Sequence, residues 1–321
     1  MSALSPPGRP AFDPAERIPS LAALRASVQR QAWDEVAAAF AALTDEDDRA
    51  LACRVVSQTP GAEPFLRRTA TEHPGDPLPR TLLAELHIQT GWQLRSDHGA
   101  EHVSRRQFAD FHARLRRAEQ LLIDLCAGHP DHALPWYLRL MTARGLELGQ
   151  NEARRRYDRL TEHHPHHFSG QMQLLQQLCP KWGGSWEAAH GFAEEAAAGA
   201  PEGSPNGALI AIVQMEQYLA LSEGRKRDGE AYLRESAHRD RLIEAAHRSV
   251  LHPDFRTDCH QAVAAHSAFA AAHSAAGRHL DAAPHFRALG DAADEFLWGY
   301  IGSYDHEAEF VRHRKLALAK G

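Results

Sequence analysis

At 321 residues, with 43% apolar but only 7% aromatic residues and abundant alanine, the chain is suited to close-packed helices and not to a sheet rich in aromatic and β-branched side chains. A formal charge of −6 excludes the basic field that nonspecific nucleic-acid binding requires. Cys53, Cys126, Cys179 and Cys259 lie far apart with no Cys-x-x-Cys pair, which excludes a zinc ribbon and a disulfide framework.

In chain order, residues 1–19 are expected to form an extended leader, because Pro6, Pro7, Pro10, Pro14 and Pro19 interrupt any helix. No apolar run of secretory length occurs there, so a cytoplasmic location is expected. Ser20 is placed to cap a first helix, in which Leu21, Leu24 and Val28 make one stripe, and Trp33, Val36, Phe40 and Leu43 make a second after a short break. Residues 45–57 and 62–72 form the next pair, ended by His73-Pro74-Gly75-Asp76-Pro77. A helix over 78–94 follows, then an insertion over 95–104, then a partner helix to about Cys126 with Phe108, Phe111, Leu115, Ala118, Leu122 and Leu125 on one side.

Between Pro130 and Pro165 the pattern is cleanest. Tyr137, Leu140 and Met141 share one face, Leu148-Gly149-Gln150-Asn151 breaks the helix, and Ala153, Tyr157 and Leu160 form the second stripe. Phe168–Leu178 is then expected to pair with a helix from Trp186 to Ala198 across the insertion 179–185, with Ser185 as N-cap. The stretch 199–207 is rich in Pro and Gly and marks either a long loop or a division between two subdomains. Beyond it come an apolar helix over 208–222, a turn over 223–229, a long helix from Glu230 to about Leu251, a hairpin of 257–276 with 279–289, and a last helix over 305–320. The apolar segment 208–221 is shorter than a bilayer span and holds Gln214, Glu216 and Gln217, so no membrane partner is expected.

The Pro130–Pro165 unit resembles a tetratricopeptide repeat, with Ala153-x-x-x-Tyr157 and Pro165 matching the Ala-x-x-x-Phe…Pro half of that pattern. Ala282-x-x-x-Phe286 after Gly277 is a second copy; Ala118-x-x-x-Leu122 and Val36-x-x-x-Phe40 are weaker ones. The turn Lys181-Trp182-Gly183-Gly184-Ser185 is similar to one in bacterial proteins of this general build. The resemblance implies an all-α fold, an α-solenoid of about seven tetratricopeptide-like hairpins over residues 20–321, and a scaffold that holds a protein or peptide partner on the concave face of its first helices. Carried over, that face would include Ser169, Met172, Gln176, Ser267, Ala271 and Ser274.

Histidine is abundant, with 22 copies. Many sit in turns, as His73, His129, His132, His163, His164, His166, His167 and His252 do, where an imidazole can cap helix carbonyls. His98-Gly99-Ala100-Glu101-His102 has the order of an inverted zinc-peptidase motif, but Gly99 weakens the helix that this chemistry needs. His266 and His273, seven residues apart, share a helix face as any amphipathic stripe does. No metal or cofactor is therefore assigned, and no phosphate loop, nucleophile elbow or dinucleotide fingerprint occurs.

The leading reading is a protein- or peptide-binding module. The alternative is an enzyme or metal-binding protein whose His-containing site forms where the insertions 95–104 and 179–185 meet. Within 179–186, Lys181, Trp182 and Trp186 are the binding candidates: an aromatic anchor beside a cation, on a turn shaped by Gly183 and Gly184.

Overall fold

A computed structural model describes residues 8–95, 104–302 and 305–321, which contain seventeen α-helices and no strand. The chain divides into two compact units: Ile18–Gly184, and Ser185–Gly321 joined by the N-terminal residues through Arg17. The expected extended leader is corrected over its described part. Ala11 donates to the Asp291 carbonyl at 2.7 Å and accepts from the Ala293 N–H at 3.1 Å, and the Gly8 carbonyl accepts from Arg314 at 2.7 Å. A short helix α1 (Pro14–Arg17) follows, with Ala15 buried. Pro10 and Pro14 do not prevent this docking, because an isolated bridge leaves most donors unused and Pro14 stands at the first turn of its helix.

The unit Ile18–Gly184 holds α2 (Pro19–Gln29), α3 (Trp33–Ala42), α4 (Glu46–Ser57), α5 (Ala62–Glu72), α6 (Pro77–Arg95), α7 (Arg105–Gly128), α8 (Ala133–Gly145), α9 (Gln150–Thr161) and α10 (Phe168–Leu178). Local chemistry sets the starts: Pro19 opens α2, the Asp45 carboxylate accepts from the N–H groups of Asp47 and Asp48, and Ser104 and Gln107 form a capping box. Successive pairs α2/α3, α4/α5, α6/α7 and α8/α9 pack together, and α4 meets α6, α8 and α10. Asp47 of α4 accepts from the N–H groups of Phe168 and Ser169 at 2.9 and 2.7 Å, which sets a carboxylate on the positive end of α10. Every residue of α6 from Thr81 to Ile88 and of α8 from Ala133 to Ala143 is buried. Helices enclosed on all sides offer no open face for a partner.

The other unit holds α11 (Trp186–Gly199), α12 (Ala208–Gly224), α13 (Lys226–Arg234), α14 (Ser236–Arg248), α15 (Ala262–Ala275), α16 (His279–Leu289) and α17 (His306–Lys320). α12 is its axle, packed by α11, α13, α14 and α15. Two of its buried polar side chains reach neighbouring elements: Gln214 Nε2 donates to the His238 carbonyl at 3.2 Å and Glu216 accepts from the Tyr300 hydroxyl at 2.8 Å. The stretch 199–207 lies inside this unit, tied to α14 by the Gly203 N–H on the Arg248 carbonyl, and the division of the chain falls at 184/185. The single helix expected over 230–251 is two, bent at Glu235, and the turn expected over 223–229 is mostly helical. No Pro marks that bend, so the sequence carries no signal of it. No described helix is long and apolar enough to cross a membrane.

Candidate binding cleft

In the unit Ile18–Gly184 the C-terminal ends of α6, α8 and α10 and the start of α7 converge on the turn 179–184. The turn is a 3-10 helix over Pro180–Trp182, closed by the Trp182 N–H on the Cys179 carbonyl at 2.9 Å. Gly183 has φ +82°, in the left-handed region. At Gly184 a Cβ would stand 1.9 Å from the Leu178 carbonyl oxygen. A side chain at Gly183 would be strained by that φ, and one at Gly184 would force backbone to move. Gly184→Ala is expected to cost on the order of 2 kcal/mol or more, read as a fall in the thermal midpoint; an unchanged midpoint would refute the tight turn.

Two amides lock the turn. Gln150 Nε2 donates to the Gln177 and Trp182 carbonyls at 2.6 and 2.9 Å, and Gln177 Nε2 donates to the same Trp182 oxygen at 3.1 Å. Because carbonyls only accept, both amides must face them with nitrogen, which leaves Gln150 Oε1 and Gln177 Oε1 buried and without hydrogen bonds. Trp182 is thereby held against Trp92 of α6, edge to face, with centroids 6.1 Å apart. Arg95 and Arg144 each lie over both rings, Arg95 at 5.6 and 5.9 Å and Arg144 at 5.3 and 5.6 Å from the centroids. Guanidinium groups within about 6 Å of indole centroids make cation–π contacts.

The turn borders a cleft of about 480 Å³ lined by Arg95, Phe108, Phe111, Arg144, Gly145, Glu147, Gly149, Gln177, Lys181, Trp182 and Gly183. The lining holds three cations, Arg95, Arg144 and Lys181, one carboxylate, Glu147, and the rings of Phe108, Phe111 and Trp182. Glu147 has φ +56°, a conformation that costs a non-glycine residue free energy. Gly145 is required by packing, since a Cβ there would come within 2.3 Å of Leu115 Cδ1.

Lys181 and Trp182 both border this cleft, with Trp182 half-buried and Lys181 exposed. Arg95, Arg144, Phe108 and Phe111 join them; nothing in their spacing marks them, because they come from three helices. Trp186 is half-buried and opens α11 in the other unit. Met172 and Gln176 are half-buried on α10 outside the cleft lining. Ser267, Ala271 and Ser274 are 2%, 0% and 2% exposed, so their expected place on a binding face is corrected. Ser267 Oγ instead accepts from the buried Trp298 Nε1–H at 2.8 Å.

Arg95, the last residue of α6, lies over the Trp182 ring at 5.9 Å, while 96–103 of the first insertion lie outside the described residues. No described histidine lines the cleft, and His98 and His102 lie outside the described residues. Among the described residues no group of three or more His, Cys, Asp or Glu side chains is placed to hold a metal ion. Among the turn histidines, His73 and His129 follow the C-termini of α5 and α7 and bond there through their backbone N–H groups, on the Thr69 and Leu125 carbonyls, whereas His167 caps with its ring: Nδ1 accepts from the Gly170 N–H at 2.9 Å at the start of α10. His266 and His273 are 4% and 1% exposed, and His266 Nδ1 lies 3.2 Å from His285 Nδ1.

Comparison with protein-family models, with curated proteins and with solved structures found no match.

Proposed function

We propose that the chain is a binding module that captures a protein or peptide segment at the rim of the cleft in Ile18–Gly184, with Trp182 as its aromatic anchor. The carrying observation is the Trp92–Trp182 pair, fixed by Gln150 and Gln177 and overlaid by Arg95 and Arg144, at the edge of an open cleft. A rigid aromatic beside cations is the composition of a hot spot, and its preformed geometry lowers the ordering cost of association. The buried inner faces of α6, α8, α12 and α15 favour this rim over a concave face. Tetratricopeptide-like repeats remain the proposed ancestry of the helix pairs.

Trp182→Ala tests the reading. Half-buried, Trp182 should cost well below the roughly 3–5 kcal/mol of a core tryptophan when truncated, while capture of peptides selected from a random-sequence display library on the full chain should fall at least about tenfold. Peptides selected by the full chain that bind Trp182→Ala equally well would overturn it.

A further inference from the structure

In the unit that contains Ser185–Gly321, residues 8–12 lie between the turn 289–293 and α17, held as a bound peptide would be. Ala11 makes a parallel bridge with Ala292, donating to the Asp291 carbonyl at 2.7 Å and accepting from the Ala293 N–H at 3.1 Å. Pro10 is buried, and Phe12 meets His306 and Phe310 edge-on with centroids at 4.8 and 5.9 Å. The Gly8 carbonyl accepts from Arg314 Nη2 at 2.7 Å, and Arg9 Nε lies 3.4 Å from Glu307 Oε1. A Cβ on residue 8 would stand 2.6 Å from Asp291 Oδ2. That carboxylate is not free to swing aside, because its Oδ1 accepts from Arg314 Nη1 at 3.0 Å. The positions thus differ in what they ask for: no side chain at 8, a cation at 9, a compact apolar residue at 10 and an aromatic ring at 12.

The walls of this groove are also fixed by contacts that do not involve the segment. Arg314, 3% exposed, donates from Nη1 to the Gly290 carbonyl at 3.0 Å. Phe310 is fully enclosed, with Phe286 and Trp298 at centroid distances of 5.5 and 5.2 Å, and the turn is closed by the Ala292 N–H on the Leu289 carbonyl at 2.8 Å. A preformed groove crossed by an extended segment, with main-chain bonds for affinity and side-chain contacts for register, has the physics of strand-addition peptide recognition. We infer that this groove is a recognition site for extended segments of the pattern Gly-Arg-Pro-x-Phe, that residues 8–12 are its resident and exchangeable occupant, and that a partner segment of the same pattern displaces them. The resident segment competes through proximity, because a tethered ligand acts at an effective concentration of about a millimolar. The inference goes beyond the Trp182 rim and does not rest on it.

Fluorescence anisotropy of a labelled, N-acetylated peptide of residues 8–15 on the full chain tests the exchange. Arg9→Glu with Phe12→Ala in the chain weakens the resident segment and leaves the walls intact; Arg9 is exposed and Phe12 half-buried, so the fold is kept. The peptide is expected to bind this variant at least about tenfold more tightly than the parent, and Gly8→Val or Phe12→Ala in the peptide should weaken that binding at least about tenfold. Amide hydrogen exchange of the parent needs no variant: the Ala11 and Ala293 N–H groups should exchange by local opening, faster than those inside α12 and α15. No binding to the variant, equal binding to both chains, indifference to the peptide's substitutions, or exchange at Ala11 and Ala293 as slow as inside α12 and α15 overturns the inference. Peptide capture sensitive to Trp182→Ala would survive each of those outcomes, so the two proposals fail separately.

Discussion

Arg156→Met is expected to destabilise the unit Ile18–Gly184 by about 3–5 kcal/mol, the usual cost of removing one partner from a buried ion pair. Arg156 is 2% exposed and spends its whole guanidinium: Nη1 and Nη2 on Glu119 at 3.0 and 2.8 Å, Nε on Glu152 at 2.7 Å, and Nη1 again on the Arg139 carbonyl at 2.7 Å. Burial alone would raise the Glu119 carboxyl, but Arg156, Thr142 and Arg139 together hold it below the usual carboxylate range. Without Arg156 that carboxylate keeps Arg139 but loses the partner that enclosed it. Three helices, α7, α8 and α9, meet through this network. The double variant Glu119→Leu with Arg156→Met should recover part of the loss, since an apolar replacement leaves no charge stranded. Denaturant melts of both variants check this. A single variant within about 0.5 kcal/mol of the parent would show that the network contributes little.

Much of the helix content is legible in the chain because prolines, glycines and caps sit at the ends. α5, α10 and α16 run over the residues their stripes predict, and Ser185 caps α11 by accepting the Ala188 N–H at 3.1 Å. Periodicity fails where burial is total. α12 over 208–216 and α15 over 265–274 are buried on every face, so no stripe tells which residues line a surface, and Ser267, Ala271 and Ser274 fall inside. The ionic network is illegible for another reason: the row Arg154, Arg155, Arg156 and Arg159 reads as one solvated face, yet Arg156 alone turns in. The cleft is half legible. Its turn announces itself through Gly183-Gly184 and Trp182, but Trp92, Arg95 and Arg144 stand on other helices and only tertiary packing brings them to the same two rings.

Acid should unfold the unit that contains Ser185–Gly321 in a histidine-dependent step between about pH 6.5 and 4. His266, His273 and His285 form a buried cluster with Phe255 and Phe269: His285 stacks on Phe269 and His273, with centroids at 5.2 and 5.8 Å, and Phe255 meets His266 edge-on at 5.5 Å. Burial pushes His266 and His273 down to about 4 and His285 well below its ordinary value, the last also through His273, His266 and His247. Around His273, Asp281 opposes the shift while Arg278 and Arg239 add to it. The sign follows from proton counts. Below the unfolded value near 6.5 the unfolded chain binds protons that the folded cluster refuses, so stability is complete above about pH 6.5 and declines as pH falls toward 4. Each fully buried imidazole held near 4 corresponds to a loss on the order of a few kcal/mol at the acid end. His313, also lowered to about 4 by burial and by Arg312, adds to the same unit. Replacing both His266 and His285, whose Nδ1 atoms share a contact, with apolar side chains would alter the packing of the core as well as its titration, so His273→Gln is the cleaner probe. It removes one titrating group while keeping a polar side chain of similar reach, and should flatten the pH dependence of the thermal midpoint between about 6.5 and 4. An unaltered slope would show that these imidazoles are already solvated when folded.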